Sequence, residues 1–171
     1  MKVLVAAAAL GPLLVCAEPL PGQVVDSTTL RPTDVVVVIN RDSHYDGTYR
    51  ASGISRVCGK LDYMMPHRAN SFVVEFPDDE VNPAVRSLTF DADTLPAGTT
   101  TPSFHLIVGV HTPSGGTPPA FVVRAREPQY GEPGTARRTK AAGRDSLTVV
   151  GIATSGTKVD VRVTVLCHPK P

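Results

Sequence analysis

The chain contains no tryptophan, and its five Phe and four Tyr make up only 5% of 171 residues. So few rings leave little for an exposed aromatic platform of the kind that stacks on sugars or nucleobases, once a core has taken its share. Charge of one sign is missing too: 17 Lys and Arg stand against 16 Asp and Glu, a net of +1. That balance excludes a general electrostatic pull toward nucleic acid or acidic lipid. No apolar run reaches the roughly 20 residues that a spanning helix needs. Cysteine is confined to Cys16, Cys58 and Cys167, with no CxxC spacing, so neither a zinc knuckle nor a dithiol redox motif is encoded. No stretch carries a helical period of any length. What is plentiful is Val and Thr, punctuated by 16 Pro and 14 Gly, a mixture that builds short strands and turns.

The first residues say where the rest works. Lys2 precedes an apolar run from Val3 to Val15, interrupted by Gly11-Pro12, and the run ends at Val15-Cys16-Ala17. A positive start, an apolar centre and a small-residue exit are the order of a secretory signal peptide. Residues 1–17 are therefore expected to be removed and the remainder exported, to a periplasm, a cell envelope or the extracellular space. Residues 18–32, with Pro19, Pro21, Gly22 and Pro32, suit an extended tether. Residues 33–171 are long enough for one domain with a real core. In an oxidising compartment a distant pair of cysteines forms a disulfide by default, so Cys58 and Cys167 are expected to bond and to tie the third strand to the last. On the chain-entropy model a loop this long stabilises by about 4 to 5 kcal/mol.

Strand signals follow at fairly even spacing. Val35 to Asn40 is a continuous β-branched run, expected to be buried on both faces. Asp46-Gly47 marks a turn before Thr48 to Gly53, and a third strand is expected around Ile54 to Gly59. Asn70 to Phe76 alternates up to Pro77. Ala84 to Asp91 puts Val85 out of phase with Leu88 and Phe90, which predicts a bulge. Ser103 to His111 and Phe121 to Ala125 form a hairpin with a long Pro/Gly connection. Thr135 to Ala142 is expected as an edge strand whose Arg137, Arg138 and Lys140 discourage further pairing. Ser146 to Ala153 and Lys158 to Cys167 close the chain around a Ser155-Gly156 turn, the last strand alternating Val159, Val161, Val163, Val165 and Cys167 on one face. The fold class is all-β, a single β-sandwich with immunoglobulin-like or Greek-key connections and about nine strands.

The chemistry-bearing residues are sparse. Asp78, Asp79 and Glu80, with Asn82, and then Asp91 and Asp93 place carboxylates in two loops that flank one strand. They are the candidate metal ligands, although calcium asks for about six to eight oxygens and no twelve-residue calcium loop is present. His105 and His111 sit about 20 Å apart along one strand, too far to share a metal, and His168 is expected to be solvated. Asp42-Ser43-His44 holds the letters of a hydrolase triad, but neighbours in sequence cannot line up as nucleophile, base and orienter, and no G-x-S-x-G turn accompanies them. No catalytic residue is assigned. Gly115-Gly116 lacks the Lys of a P-loop, and no cofactor motif is found. The basic residues Arg137, Arg138, Lys140 and Arg144 lack interleaved aromatics, so no nucleic-acid partner is expected.

Leu13-Leu14-Val15-Cys16 resembles the lipobox of bacterial lipoproteins, with Val15 where that pattern has Gly, Ala or Ser. The resemblance implies lipidation of Cys16, the one route by which this chain would meet a membrane. The layout as a whole is similar to the small exported lipoprotein antigens of mycobacteria of the 19 kDa type. Both have a leader ending near a Cys, a Pro-rich tether, one β-rich domain, and two distant cysteines, the second closing a Val-rich strand, here Val159 to Cys167. That resemblance implies a cell-envelope protein without catalytic chemistry. The functional expectation is an exported, non-enzymatic β-sandwich acting on a protein or envelope component as an interaction or structural module. The alternative is a periplasmic small-ligand or calcium-binding module.

Overall fold

The structure, a computed structural model, describes residues 30–41, 44–59, 71–76, 84–111, 120–127, 129, 133–154 and 158–169. Eleven strands follow one another: β1 Arg31–Asn40, β2 Gly47–Ser55, β3 Val57–Gly59, β4 Phe72–Phe76, β5 Val85–Ala92, β6 Thr100–Thr101, β7 His105–Val110, β8 Phe121–Arg124, β9 Gly134–Ala141, β10 Arg144–Thr154 and β11 Lys158–Cys167. Two antiparallel sheets pack face to face as an all-β sandwich. The first has the order β2-β1-β11-β10-β9, with β6 on the outer side of β9; the second is β8-β7-β5-β4-β3. A single pairing of Thr154 with Val122 joins β10 to β8 where the sheets meet.

Alternation decides what lies between the sheets. Val35, Val37 and Ile39 of β1, Leu147 and Val149 of β10, and Val159, Val161, Val163 and Val165 of β11 all point inward and are buried. Leu88 and Phe90, Leu106 and Val108, and Phe121 and Val123 meet them from the second sheet. All five Phe are buried, and Phe90 stacks on Phe104 with centroids 5.7 Å apart. The scarce rings are therefore spent inside. Two glycines set how closely the layers approach: a Cβ on Gly151 would stand 2.9 Å from Val123 Cγ1, and one on Gly134 would stand 2.7 Å from Phe104 Cζ.

Cys58 on β3 and Cys167 at the end of β11 are joined by a disulfide, with Cα atoms 6.1 Å apart and a sequence separation of 109. It staples one sheet to the other. The bulge expected near Val85 is present, as a register shift between Val85 and Ser87 against β7.

Four expectations need correction. Strand β1 starts at Arg31, so Pro32 belongs to the sheet and not to a tether; its missing N–H falls at the very end of β11, where a strand tolerates proline. The same strand is buried on one face only, since Val36 and Val38 are half-exposed on the outside. Ile54 and Ser55 belong to the end of β2, and the strand with Cys58 begins at Val57 after a bend at Arg56. Finally, β9 is not a bare edge. Thr100 and Thr101 pair with Arg137 and Ala136, a two-residue strand too short to leave a periodic signal. At its other end β9 turns into β10 through Ala142 and Gly143, both with positive φ, as a two-residue hairpin matched to strand twist requires.

Candidate functional site

The inward face of the first sheet carries one carboxylate. Asp145 shares the alternation of Leu147 and Val149, so β10 delivers it to the core side, where its side chain is 3% exposed. Arg138 Nε donates to its Oδ1 at 2.9 Å and Nη2 to its Oδ2 at 3.2 Å, a bidentate pair. The remaining guanidinium nitrogen donates to Leu95 O at 3.2 Å, and the group lies 4.2 Å over the Phe72 ring. Arg31 Nη1 stands 3.9 Å from the same carboxylate. Arg138, read from sequence as part of a solvated basic edge, is thus a structural side chain that closes one end of the core. Its neighbour Arg137 does face solvent. The missed signal was period two: adjacent residues of a strand cannot share a face.

Of the acidic candidates, Asp78, Asp79 and Glu80 lie outside the described residues, as do Cys16 and Ser43. Asp91 and Asp93 come together at the end of β5. Between them stands Arg126, whose Nη2 donates to Asp91 Oδ2 at 2.8 Å and to Asp91 O at 2.9 Å, while Nη1 lies 3.7 Å from Asp93 Oδ1. A guanidinium holds the place between these two carboxylates where a metal would have to sit. Among the described residues no cluster of three His, Cys, Asp or Glu side chains is spaced to hold a metal ion. His105 opens β7 and His111 lies one residue past its other end, as far apart as their spacing requires.

The outward face of the same first sheet carries its solvent-facing side chains. Register aligns its side chains in rows: Ser52, Asp34, Leu166 and Ser146; Arg50, Val36, Thr164 and Thr148; Val38, Arg162 and Val150; and Asn40, Asp160 and Ile152. The last two rows floor a groove of 660 Å³, rimmed by Pro133 and Thr135. Pro133 is held over the edge by Ile152 N–H, which donates to its carbonyl at 3.0 Å. Val150 is 42% exposed, a large aliphatic side chain open to a partner. Arg41 closes the Asp160 end with an ion pair at 3.0 Å. An aliphatic floor, one central guanidinium and a single carboxylate, Asp160, suit an extended or flat partner with apolar and anionic groups.

In the first of those rows, Ser52 Oγ donates to Asp34 Oδ1 at 2.6 Å, and His168 Nε2 lies 2.7 Å from Asp34 Oδ2. Those two contacts, the Ser52 hydrogen bond foremost, hold the Asp34 carboxyl below its ordinary range. His168, expected to be solvated, is therefore bound, and its backbone N–H also donates to Pro32 O at 2.9 Å. The three residue types of a hydrolase triad meet here in the wrong order. A working triad sets histidine between hydroxyl and carboxylate; here the carboxylate lies between the other two, and the Ser52 proton goes straight to Asp34. The arrangement locks the start of β1 to the end of β11.

No protein-family model, no curated protein and no solved structure matches this chain.

Proposed function

We propose that this chain is an exported, non-enzymatic β-sandwich that serves as an interaction or structural module of a cell envelope or secreted fraction, with the outward face of the β2-β1-β11-β10-β9 sheet as its working surface. The observation that carries the reading is the Cys58–Cys167 disulfide, a bond that persists in oxidising compartments and belongs with the leader pattern of residues 1–17. The use of charge supports the rest: Asp145, Asp91 and Asp34 are each engaged by Arg or His in closing strand ends. The layout shared with small mycobacterial lipoprotein antigens agrees, and under that likeness Cys16 would carry lipid.

A photo-crosslinking residue at Val150 of the full chain, expressed in the organism that encodes it, tests both halves. Adducts with an envelope or secreted component are expected, together with an intact mass that lacks the leader and two thiol hydrogens. Full-length chain with free thiols would overturn export, and no adduct at Val150 would overturn the working surface. The groove favours a second reading, a small-ligand module, since 660 Å³ falls within the usual range of about 300 to 1,000 Å³ for ligand pockets. Under that reading a small molecule blocks the Val150 adducts and raises the melting temperature by mass action.

A further inference from the structure

The two outer edges of the first sheet are finished differently. Strand β9 is covered along Ala136 to Arg138: Gly98 N–H donates to Arg138 O at 2.9 Å, Arg138 N–H donates to Thr99 O at 3.1 Å, and β6 pairs alongside. On the other edge, no described strand pairs with the outer side of β2. One bond reveals where its backbone groups point. Pro32 O accepts from His168 N–H, so Pro32 faces β11. The N–H and C=O of a strand residue point the same way, and successive residues alternate; Arg31, Thr33, Val35, Val37 and Ile39 therefore face β2. Their partners Ser55, Gly53, Ala51, Tyr49 and Gly47 face back, and Thr48, Arg50, Ser52 and Ile54 direct their N–H and C=O away from the sheet. All four are exposed, Ile54 by 50%. Proline, lysine and inward charge, the usual devices that blunt an edge, are missing from β2, whose nine residues carry a single charge at Arg50.

We infer that β2 pairs antiparallel with β2 of a second copy of this chain, about a two-fold axis at Ala51, so that the two first sheets become one. Backbone alternation and charge together select that register. With the axis at Ala51, Arg50 opposes Ser52 of the second copy as a hydrogen-bonded pair, Thr48 opposes Ile54, and Tyr49 opposes Gly53. An axis at Arg50 would set two guanidiniums directly against each other, which is unfavourable. In the Ala51 register each Arg50 lies two strand spacings, about 10 Å, from the Asp34 of the other copy, because Asp34 is the cross-strand partner of Ser52. An extended arginine reaches a carboxylate across that gap, and Asp34, which already accepts from Ser52, has lone pairs to spare. The two-fold makes the contact twice. None of this rests on export.

Sedimentation of the full chain over a concentration series, with cysteine variants on non-reducing gels, tests the pairing. Residues opposed at a non-hydrogen-bonded position lie about 4.5 Å apart at Cα, within disulfide reach. Ala51→Cys is expected to cross-link to its copy and Thr48→Cys is not. Arg50→Glu, on an exposed side chain that leaves the fold intact, is expected to weaken the dimer roughly tenfold, and Arg50→Glu with Asp34→Lys to restore it. A monomer at the highest soluble concentration overturns the inference. So does a dimer in which Ala51→Cys fails to cross-link or Arg50→Glu has no effect, since either result assigns the contact to another face or another partner.

Discussion

Asp34 and Asp145 belong to the same sheet, one on each face, and the chain treats them in opposite ways. Asp145 points into the core, 3% exposed, and receives a bidentate arginine whose third nitrogen is tied to Leu95 O. Asp34 points outward, 46% exposed, and receives a serine hydroxyl and an imidazole. Inside, an unpaired carboxylate would face a desolvation cost of several kcal/mol, so its partner has to be permanent and geometrically matched. Outside, water screens the charge, and partners less closely matched to a carboxylate are tolerated. The contrast shows that burial, more than residue type, decides whether an ion pair is part of the framework.

The largest test removes the staple next to the inner pair. Cys167 is the cross-strand partner of Asp145, and replacing Cys58 and Cys167 together by Ala is expected to lower unfolding free energy by about 4 kcal/mol, read from urea denaturation. Asp145→Asn should follow at about 3 kcal/mol, because it strands a guanidinium that is 12% exposed. Joint replacement by Arg138→Met and Asp145→Leu should cost less than Asp145→Asn alone; an equal or greater loss would show that the pair adds net stability. The smallest effect belongs to the outer face. Asp34→Asn should cost less than about 1 kcal/mol at neutral pH. Because the folded carboxyl is held below its ordinary value by Ser52 and His168, its contribution is present above the unfolded value of about 4 and disappears as pH falls through the folded value. Wild type and Asp34→Asn should therefore converge in denaturant midpoint at strongly acidic pH.

How much of this was legible beforehand depends on whether a strand's two faces differ. Lys158 to Cys167 alternates without interruption, and its inner face, ending on Cys167, follows from that pattern, while the pairing with Cys58 follows from the cysteine count and the expected oxidising compartment. Val35 to Val38 does not alternate, so its sequence looks buried on both sides; the outward valines turn out to floor or flank an open sheet face. Arg137 and Arg138 look alike as letters and lie on opposite faces, which period two implies for the expected strand Thr135 to Ala142 as soon as its two faces are told apart. The contacts of His168 with Asp34 and Pro32 join residues more than a hundred positions apart. No local signal announces such a pairing, because it depends on β1 and β11 lying side by side.

That adjacency has a consequence for how the chain comes into being. The first described strand and the last are neighbours at the centre of one sheet, with β1 between β2 and β11 and β11 between β1 and β10. A chain delivered from its N-terminus, whether by a ribosome or through a membrane channel, keeps both flanks of that gap waiting until the final ten-residue strand emerges. A premature stop near residue 158 would therefore take out the keystone and not a fringe, leaving two half-sheets with their interior edges bare and prone to pair with whatever else is unfolded nearby.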